Sequence, residues 1–143
     1  MRDSVDIRNF QENDLDAIVD FSLRAWDPVF ASLREVLGDL IFLRLKPDWK
    51  AAQAEEVTAS CTSEERDAFV AVVEGRPVGF VIVALNAFNE RMGVIDIIGV
   101  DPDFQRRGIA SQLTEHALDH MRRCGMDMAA VETGGDPGHA LDE

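Results

Sequence analysis

Val94-Ile95-Asp96-Ile97-Ile98-Gly99-Val100-Asp101-Pro102-Asp103-Phe104-Gln105-Arg106-Arg107-Gly108-Ile109-Ala110 is the stretch that decides the fold. The run from Val94 to Val100 is apolar at successive positions, the pattern of a central strand covered on both faces. Asp101-Pro102 breaks it as a turn. From about Arg106 to Arg123 the apolar residues recur at helical spacing. Strand, glycine-containing loop and helix N-terminus together make an anion-binding arrangement. The first turn of a helix carries four backbone N–H groups without intrahelical partners. The helix dipole adds partial positive charge at the same end. Gly108 lets the backbone approach a ligand closely, while Arg106 and Arg107 bring charge. The segment therefore reads as a seat for a phosphorylated cofactor.

The remaining sequence sets the context. The 143 residues suit one domain with its own core, and 46% hydrophobic content excludes disorder. Asp and Glu number 27 against 14 Lys and Arg, a net charge of −13. Nucleic acid and anionic membranes both require a basic face, so neither is an expected partner. The two cysteines, Cys61 and Cys124, form neither a CxxC motif nor a disulfide framework, which fits a reducing cytoplasm. No apolar run approaches the roughly 20 residues of a membrane span. The N-terminus lacks a signal-like apolar region.

Outward from the quoted stretch, the elements read β-α-α-α-β-β-β-α-β. Val5–Phe10 alternates as a first strand. Asn13 reads as an N-cap with Asp16 three residues on, followed by Leu15, Ile18, Val19, Leu23 and Trp26 at helical spacing. Pro28 reads as the first turn of a second helix that ends near Gly38, with Leu40–Leu45 as its continuation. Pro47 opens a third, polar helix from Asp48 to about Ser60. Phe69–Val73 and Val78–Leu85 flank a hairpin turn at Glu74-Gly75-Arg76-Pro77, and Asn86–Arg91 forms the next turn. Met128–Glu132 is a final strand, and Thr133-Gly134-Gly135-Asp136-Pro137-Gly138 is loop chemistry.

With strand, loop and helix placed, the chain resembles the GNAT superfamily of acyl-CoA-dependent N-acyltransferases. Ile98-Gly99-Val100-Asp101-Pro102 and Gln105-Arg106-Arg107-Gly108-Ile109-Ala110 match its pattern of Val-x-Pro followed by Gln/Arg-x-x-Gly-x-Gly/Ala, and Gly79 stands in its usual Val-Gly-Phe setting. The resemblance is closest from about Ala68 to Val131. It implies an α/β fold, with a mixed, mainly antiparallel twisted sheet flanked by helices. The N-terminal helices, about 13–60, would serve the acceptor, and residues of about 68–133 would bind the cofactor. The implied cofactor is acetyl-CoA. Its pyrophosphate would rest on backbone N–H groups from Gln105 to Ala110, and its pantetheine arm would pair with Ile98, Gly99 and Val100. The implied substrate is a small-molecule or peptide amine, with Trp26 and Phe30 lining its pocket.

An amine with a pKa near ~10.4 is mostly protonated at neutral pH, so a general base is useful. Asp96 is the first candidate, as the one charged side chain in its strand. Burial would raise its pKa toward that of a base. The alternative is an Asp tied to backbone or to an arginine. Glu132, at the end of the last strand, is the second acid/base candidate.

Family members usually continue with a helix and two strands, often with a tyrosine as general acid. This chain contains no tyrosine and reads as C-terminally shortened. The expected consequence is a homodimer or swapped element that covers the open edge. His116 and His120, four apart, read as a solvated helix face rather than a metal site. Glu12, Asp14, Asp16 and Asp20 read as the polar face of the first helix. His139 belongs to the tail.

Overall fold

The computed structural model describes residues 4–38, 40–41, 48–86 and 91–131. Five strands form one sheet in the order β1-β2-β3-β4-β5. Strand β1 is Val5–Asn9, β2 Arg66–Val73, β3 Arg76–Ala84, β4 Met92–Val100 and β5 Met128–Val131. The first four pair antiparallel, and β5 pairs with β4 in parallel. A parallel pair needs a crossover, which is helix α3, Ile109–Arg123. Helices α1, Leu15–Leu37, and α2, Trp49–Thr62, come before the meander. The expected mixed sheet flanked by helices is the architecture observed.

Each face of the sheet carries its own core. On one side Ile109, Leu113, Ala117 and Met121 of α3 repeat every four residues and bury against Phe69, Ala71, Val81, Val83 and Ile95. On the other, Ile18 and Phe21 of α1 and Val57 and Cys61 of α2 cover Val70, Phe80 and Ile82. Full burial of one such aliphatic or aromatic side chain contributes about 1.5–3 kcal/mol. The β2–β3 hairpin turns on Glu74 and Gly75, with φ of 51° and 77°. Positive φ at both central positions matches the right-handed twist of the strands.

The N-terminal helices differ from the expectation. No break occurs at Pro28, which lies inside a 23-residue helix. A proline there removes one backbone hydrogen bond and costs about 3 kcal/mol in an isolated helix. Packing at both ends offsets this cost. The N-terminal half buries Ile18 and Phe21 on the sheet, and Phe30 beyond the proline stacks on Trp49 of α2 with centroids 4.2 Å apart. Asn13 is not the cap. Residues Glu12–Asp14 form a 3-10 turn, and the Asp14 carboxylate accepts the Gln11 N–H at 2.8 Å. Nor does Asp14 belong to a solvated face. It is 3% exposed and takes two hydrogen bonds from the Arg8 guanidinium, at 2.7 and 2.8 Å. Asp48 caps α2 by accepting the Ala51 N–H. Most of the expected Leu40–Leu45 continuation, the centre of the Asn86–Arg91 turn, Glu132 and the 133–143 tail lie outside the described residues.

Candidate active site at the β4–α3 junction

Strand β4 carries an irregularity that alternation alone does not show. Ile82 pairs with Ile97, but the adjacent Val83 pairs with Ile95. Asp96 is therefore the extra residue of a β-bulge. A bulge bends the strand and re-aims its side chains. The packing records the shift. Ile95 lies in the α3-side core, whereas Ile97, two residues on, packs into the opposite one.

The bulge leaves the Asp96 side chain 17% exposed and facing Arg66, whose Nε donates to Oδ2. Arg66 is the first residue of β2 and is half solvated. A carboxylate in mid-strand would be costly if unpaired. The guanidinium supplies the missing partner. The pairing with an arginine weighed for Asp96 from its sequence context is thus present. Nothing in the local sequence singled out Arg66 as the partner.

Beyond the bulge, β4 runs alongside β3 to Val100. Its described pairing with β5 ends at Ile95–Val131. Among the described residues, Asp96, Ile97, Ile98, Gly99 and Val100 have no strand partner on that side. An unpaired edge of this kind is a template for an extended ligand. Gly99 sits where space is tight. A Cβ there would come within 2.8 Å of Phe80 and 3.5 Å of the Trp26 ring. Trp26, on α1, therefore lies against β4. Phe30, one helical turn on, stacks with Trp49 on α2.

The loop after β4 is built around Asp101, which is 1% exposed. Its carboxylate accepts from Arg24 on α1 at 3.0 and 3.3 Å, from Arg76 of β3 at 3.4 Å and from the Asp103 backbone N–H at 2.9 Å. Gln105 turns its side-chain amide back to the Val100 carbonyl at 3.2 Å. Arg107 and Arg76 both stand over the Phe104 ring, at 5.0 and 5.6 Å from its centroid, within cation–π range.

Helix α3 begins at Ile109, not at Arg106 as the periodicity predicts. Arg106 and Gly108 have φ of 65° and 79°, left-handed values that end helical geometry. For the non-glycine Arg106 this conformation is strained. Gln112 N–H to Gly108 O, at 3.1 Å, is the first bond of the helix. The N–H groups of Ile109, Ala110 and Ser111 thus have no intrahelical acceptor. No side chain caps this end, and a Cβ placed on Gly108 would meet nothing within 4 Å. The result is an uncapped cluster of donors facing open space, flanked by exposed Arg106 and Arg107. These features fit a phosphate group.

Ser22 Oγ of α1 is the buried side-chain polar atom that lacks a hydrogen-bond partner among the described residues. It lies one helical turn before Trp26. The helix pair His116 and His120 is not a plain solvated face. Both rings stand edge-on to Phe69, and His120 Nε2 lies 2.8 Å from the Asp67 carboxylate.

The model of the acetyltransferase (GNAT) family matches residues 31–141. The chain belongs to this family. Among curated proteins it is 34% identical over 95 residues to streptothricin acetyltransferase of Streptomyces lavendulae, a match that covers 66% of this chain and 49% of that protein. To mycothiol acetyltransferase of Saccharomonospora viridis it is 35% identical over 74 residues, covering 48% of this chain and 24% of that protein. The chain thus spans about half, or less, of the length of these relatives. Among solved structures, aminoglycoside N-acetyltransferase AAC(6')-Iy in complex with CoA superposes with a TM-score of 0.64 at 17% identity, over 94% of this chain and 80% of that one. The ribosomal-protein-S18-alanine N-acetyltransferase from Escherichia coli gives 0.65 at 20% identity, over 96% and 72%. Among the described residues, no helix is long and apolar enough to cross a membrane.

Proposed function

We propose that this protein is an N-acetyltransferase that uses acetyl-CoA and a primary amine. The observation that carries this reading is the uncapped N-terminus of α3 beside left-handed Gly108, at the end of a β4 edge that has no described partner past Ile95. Backbone N–H groups around Gln105–Ala110 would hold the pyrophosphate, with Arg106 and Arg107 adding charge. The peptide groups of Ile98, Gly99 and Val100 would pair with the pantetheine amides. Bound acetyl-CoA supplies the acetyl thioester that the amine nitrogen attacks, forming C–N and breaking C–S.

Asp96 takes the role of base in this reading. Its place in the bulge leaves the carboxylate partly exposed, on a side of β4 with no described strand partner, and able to accept the amine proton. Trp26 and Phe30 form the apolar wall of the acceptor pocket, on α1. A net charge of −13 favours a cationic acceptor, and streptothricin acetyltransferase by its name acts on a small molecule. The expected setting is cytoplasmic, supported by two free thiols, and the expected assembly a homodimer, supported by exposed Val36, Leu40, Ile41 and Met128. The solution mass tests the dimer, and a monomer at micromolar concentration rejects it. Glu132, as second acid/base candidate, is assigned only from the sequence.

The test is thiol release from acetyl-CoA with a panel of primary amines, alongside CoA calorimetry. Gly108→Glu should weaken CoA at least tenfold by placing a carboxylate at the phosphate seat. Asp96→Asn should lower kcat without loss of CoA affinity. Unaltered CoA binding in Gly108→Glu removes the phosphate assignment, and unaltered turnover in Asp96→Asn removes the base. The engagement of Asp96 by Arg66 favours one other reading, an acyl-CoA-binding module without turnover. Tight CoA binding with no amine-dependent release would select it.

A further inference from the structure

A cavity of about 550 Å³ lies at the other end of α3, between its last turns and the start of β2. Arg123 stands 15 residues past Gly108, roughly 20 Å along the helix at 1.5 Å per residue, so this cavity is separate from the phosphate seat. Its charged lining is Arg66, Asp67, His116, His120 and Arg123. Cations therefore outnumber the carboxylate here, in a chain where acidic residues outnumber basic ones 27 to 14.

The geometry explains how the cations are presented. Phe69 backs both imidazoles edge-on, with centroids 4.6 and 4.9 Å away, and so fixes their planes. Asp67 takes one His120 nitrogen at 2.8 Å and orients that ring. Arg66 uses Nε for Asp96, which leaves its two Nη groups for another acceptor. Arg123 is held only loosely, at 3.7 Å from Asp119, and both groups are exposed.

We infer that this cavity is a second ligand site, which binds a small organic anion carrying a carboxylate or phosphate group. Arg66 and Arg123 supply the forked donors that such groups accept, and His116 adds charge when it protonates. Because Arg66 also engages Asp96, occupancy is transmitted to the β4 bulge. An anion on the Nη groups shares the guanidinium with Asp96 and loosens that ion pair. This regulatory half rests on the role proposed for Asp96 above, whereas the binding half does not.

Affinity should rise as pH falls through the imidazole range. Burial, together with neighbouring Arg123 and His120, holds His116 below its ordinary pKa, so its charge arrives at the acid end of that range. The groups that face these rings are Arg66 and Asp67 from β2, Asp119 and Arg123 from α3, and Cys124 just past its end, whose Sγ lies 3.8 Å from His120 Nε2.

The test is a titration of the intact protein with phenyl phosphate, benzoate and, as a neutral control, benzyl alcohol, followed by calorimetry and by histidine ring NMR signals. Both anions should bind and shift the His116 and His120 resonances, more tightly at pH 5 than at pH 8, and benzyl alcohol should not. Arg123→Gln and His116→Gln should each weaken the anions about tenfold, the loss of one charge-assisted hydrogen bond, with CoA affinity unchanged. No binding at millimolar anion, or binding indifferent to both variants, overturns the site. Anion binding that leaves the pH profile of acetyl transfer unmoved overturns the link to Asp96 alone. Absence of acetyl transfer with anion binding intact would instead overturn the proposed enzyme activity.

Discussion

The Arg24 guanidinium of α1 lies flat against the Asp101 carboxylate after β4, with Nη2–Oδ2 at 3.0 Å and Nη1–Oδ1 at 3.3 Å. This pair fixes α1 to the loop that leads into α3. The two ends of the contact are unequal. Asp101 is 1% exposed, and Arg24 has 40% of its side chain in solvent. Arg24→Ala leaves a buried carboxylate with only the more distant Arg76 and one backbone N–H. Asp101→Asn leaves arginines that water can reach. The first should therefore cost more, about 2–3 kcal/mol against about 1. Urea denaturation of both variants checks the order, and a reversal would mean that Asp101 is not the strained partner.

Acid stability should depend on Asp14. Hydrogen bonds from Arg8, and a further one from the Gln11 N–H, hold its carboxyl below the ordinary value of 3.8. A depressed folded pKa gives stability that is fully present above the unfolded pKa and lost as pH falls through the folded one. The native protein should thus lose Tm steeply below about pH 4, where carboxylates normally protonate. Asp14→Asn should be less stable at pH 7 and show a shallower loss in that acid window. Parallel Tm curves for the two proteins from pH 7 to pH 2 would contradict the assignment.

The two thiols should differ sharply. Burial against Val57 and the sheet pushes the Cys61 thiol up to about 11, with the nearby Asp14 charge acting in the same direction. Cys124 is exposed. A disulfide reagent at pH 8 should label one thiol per chain quickly, and Cys124→Ser should abolish that reaction. Cys61 should react only in denaturant, since the thiolate is the nucleophile. Fast labelling of native Cys124→Ser would show that the α2–sheet layer opens readily.

Two glycines of β4 should respond differently to alanine. At Gly99 the new methyl meets the rigid, fully buried Phe80 ring at 2.8 Å. At Gly93 it meets Met121 at 2.5 Å, a flexible side chain that can move aside. Overpacking costs about 1–3 kcal/mol, and Gly99→Ala should fall at the upper end, with lowered CoA affinity as β4 shifts. Equal losses for both variants in thermal melts, with CoA affinity retained, would argue against the close fit of Phe80 and Trp26 around β4.

Much of this architecture was legible in the chain because it follows from short periods. Ile109, Leu113, Ala117 and Met121 advertise the buried stripe of α3 at intervals of four. Val94–Val100 reads as a doubly covered strand without reference to its neighbours. Gly108 marks the loop before the helix, because a left-handed backbone accepts glycine at little cost. Pro28 misled for the same reason. Its local effect is helix-breaking, and the tertiary contacts that override it, on the sheet and on Trp49, have no local signature.

The sequence by itself determined the fold class, the meander of β2 to β4, the glycine-bearing loop before α3 and Asp96 as the polar intruder in β4, since each is encoded within a few consecutive residues. Only the tertiary structure decided what those groups touch. Asp96 meets Arg66 across 30 residues of chain, Asp67 meets His120 across 53, and Arg24 meets Asp101 across 77. The bulge that aims Asp96 arises from the register between β3 and β4, which belongs to neither strand alone. Such pairings depend on the summed packing of the whole chain, and a one-dimensional pattern carries no period that reports them.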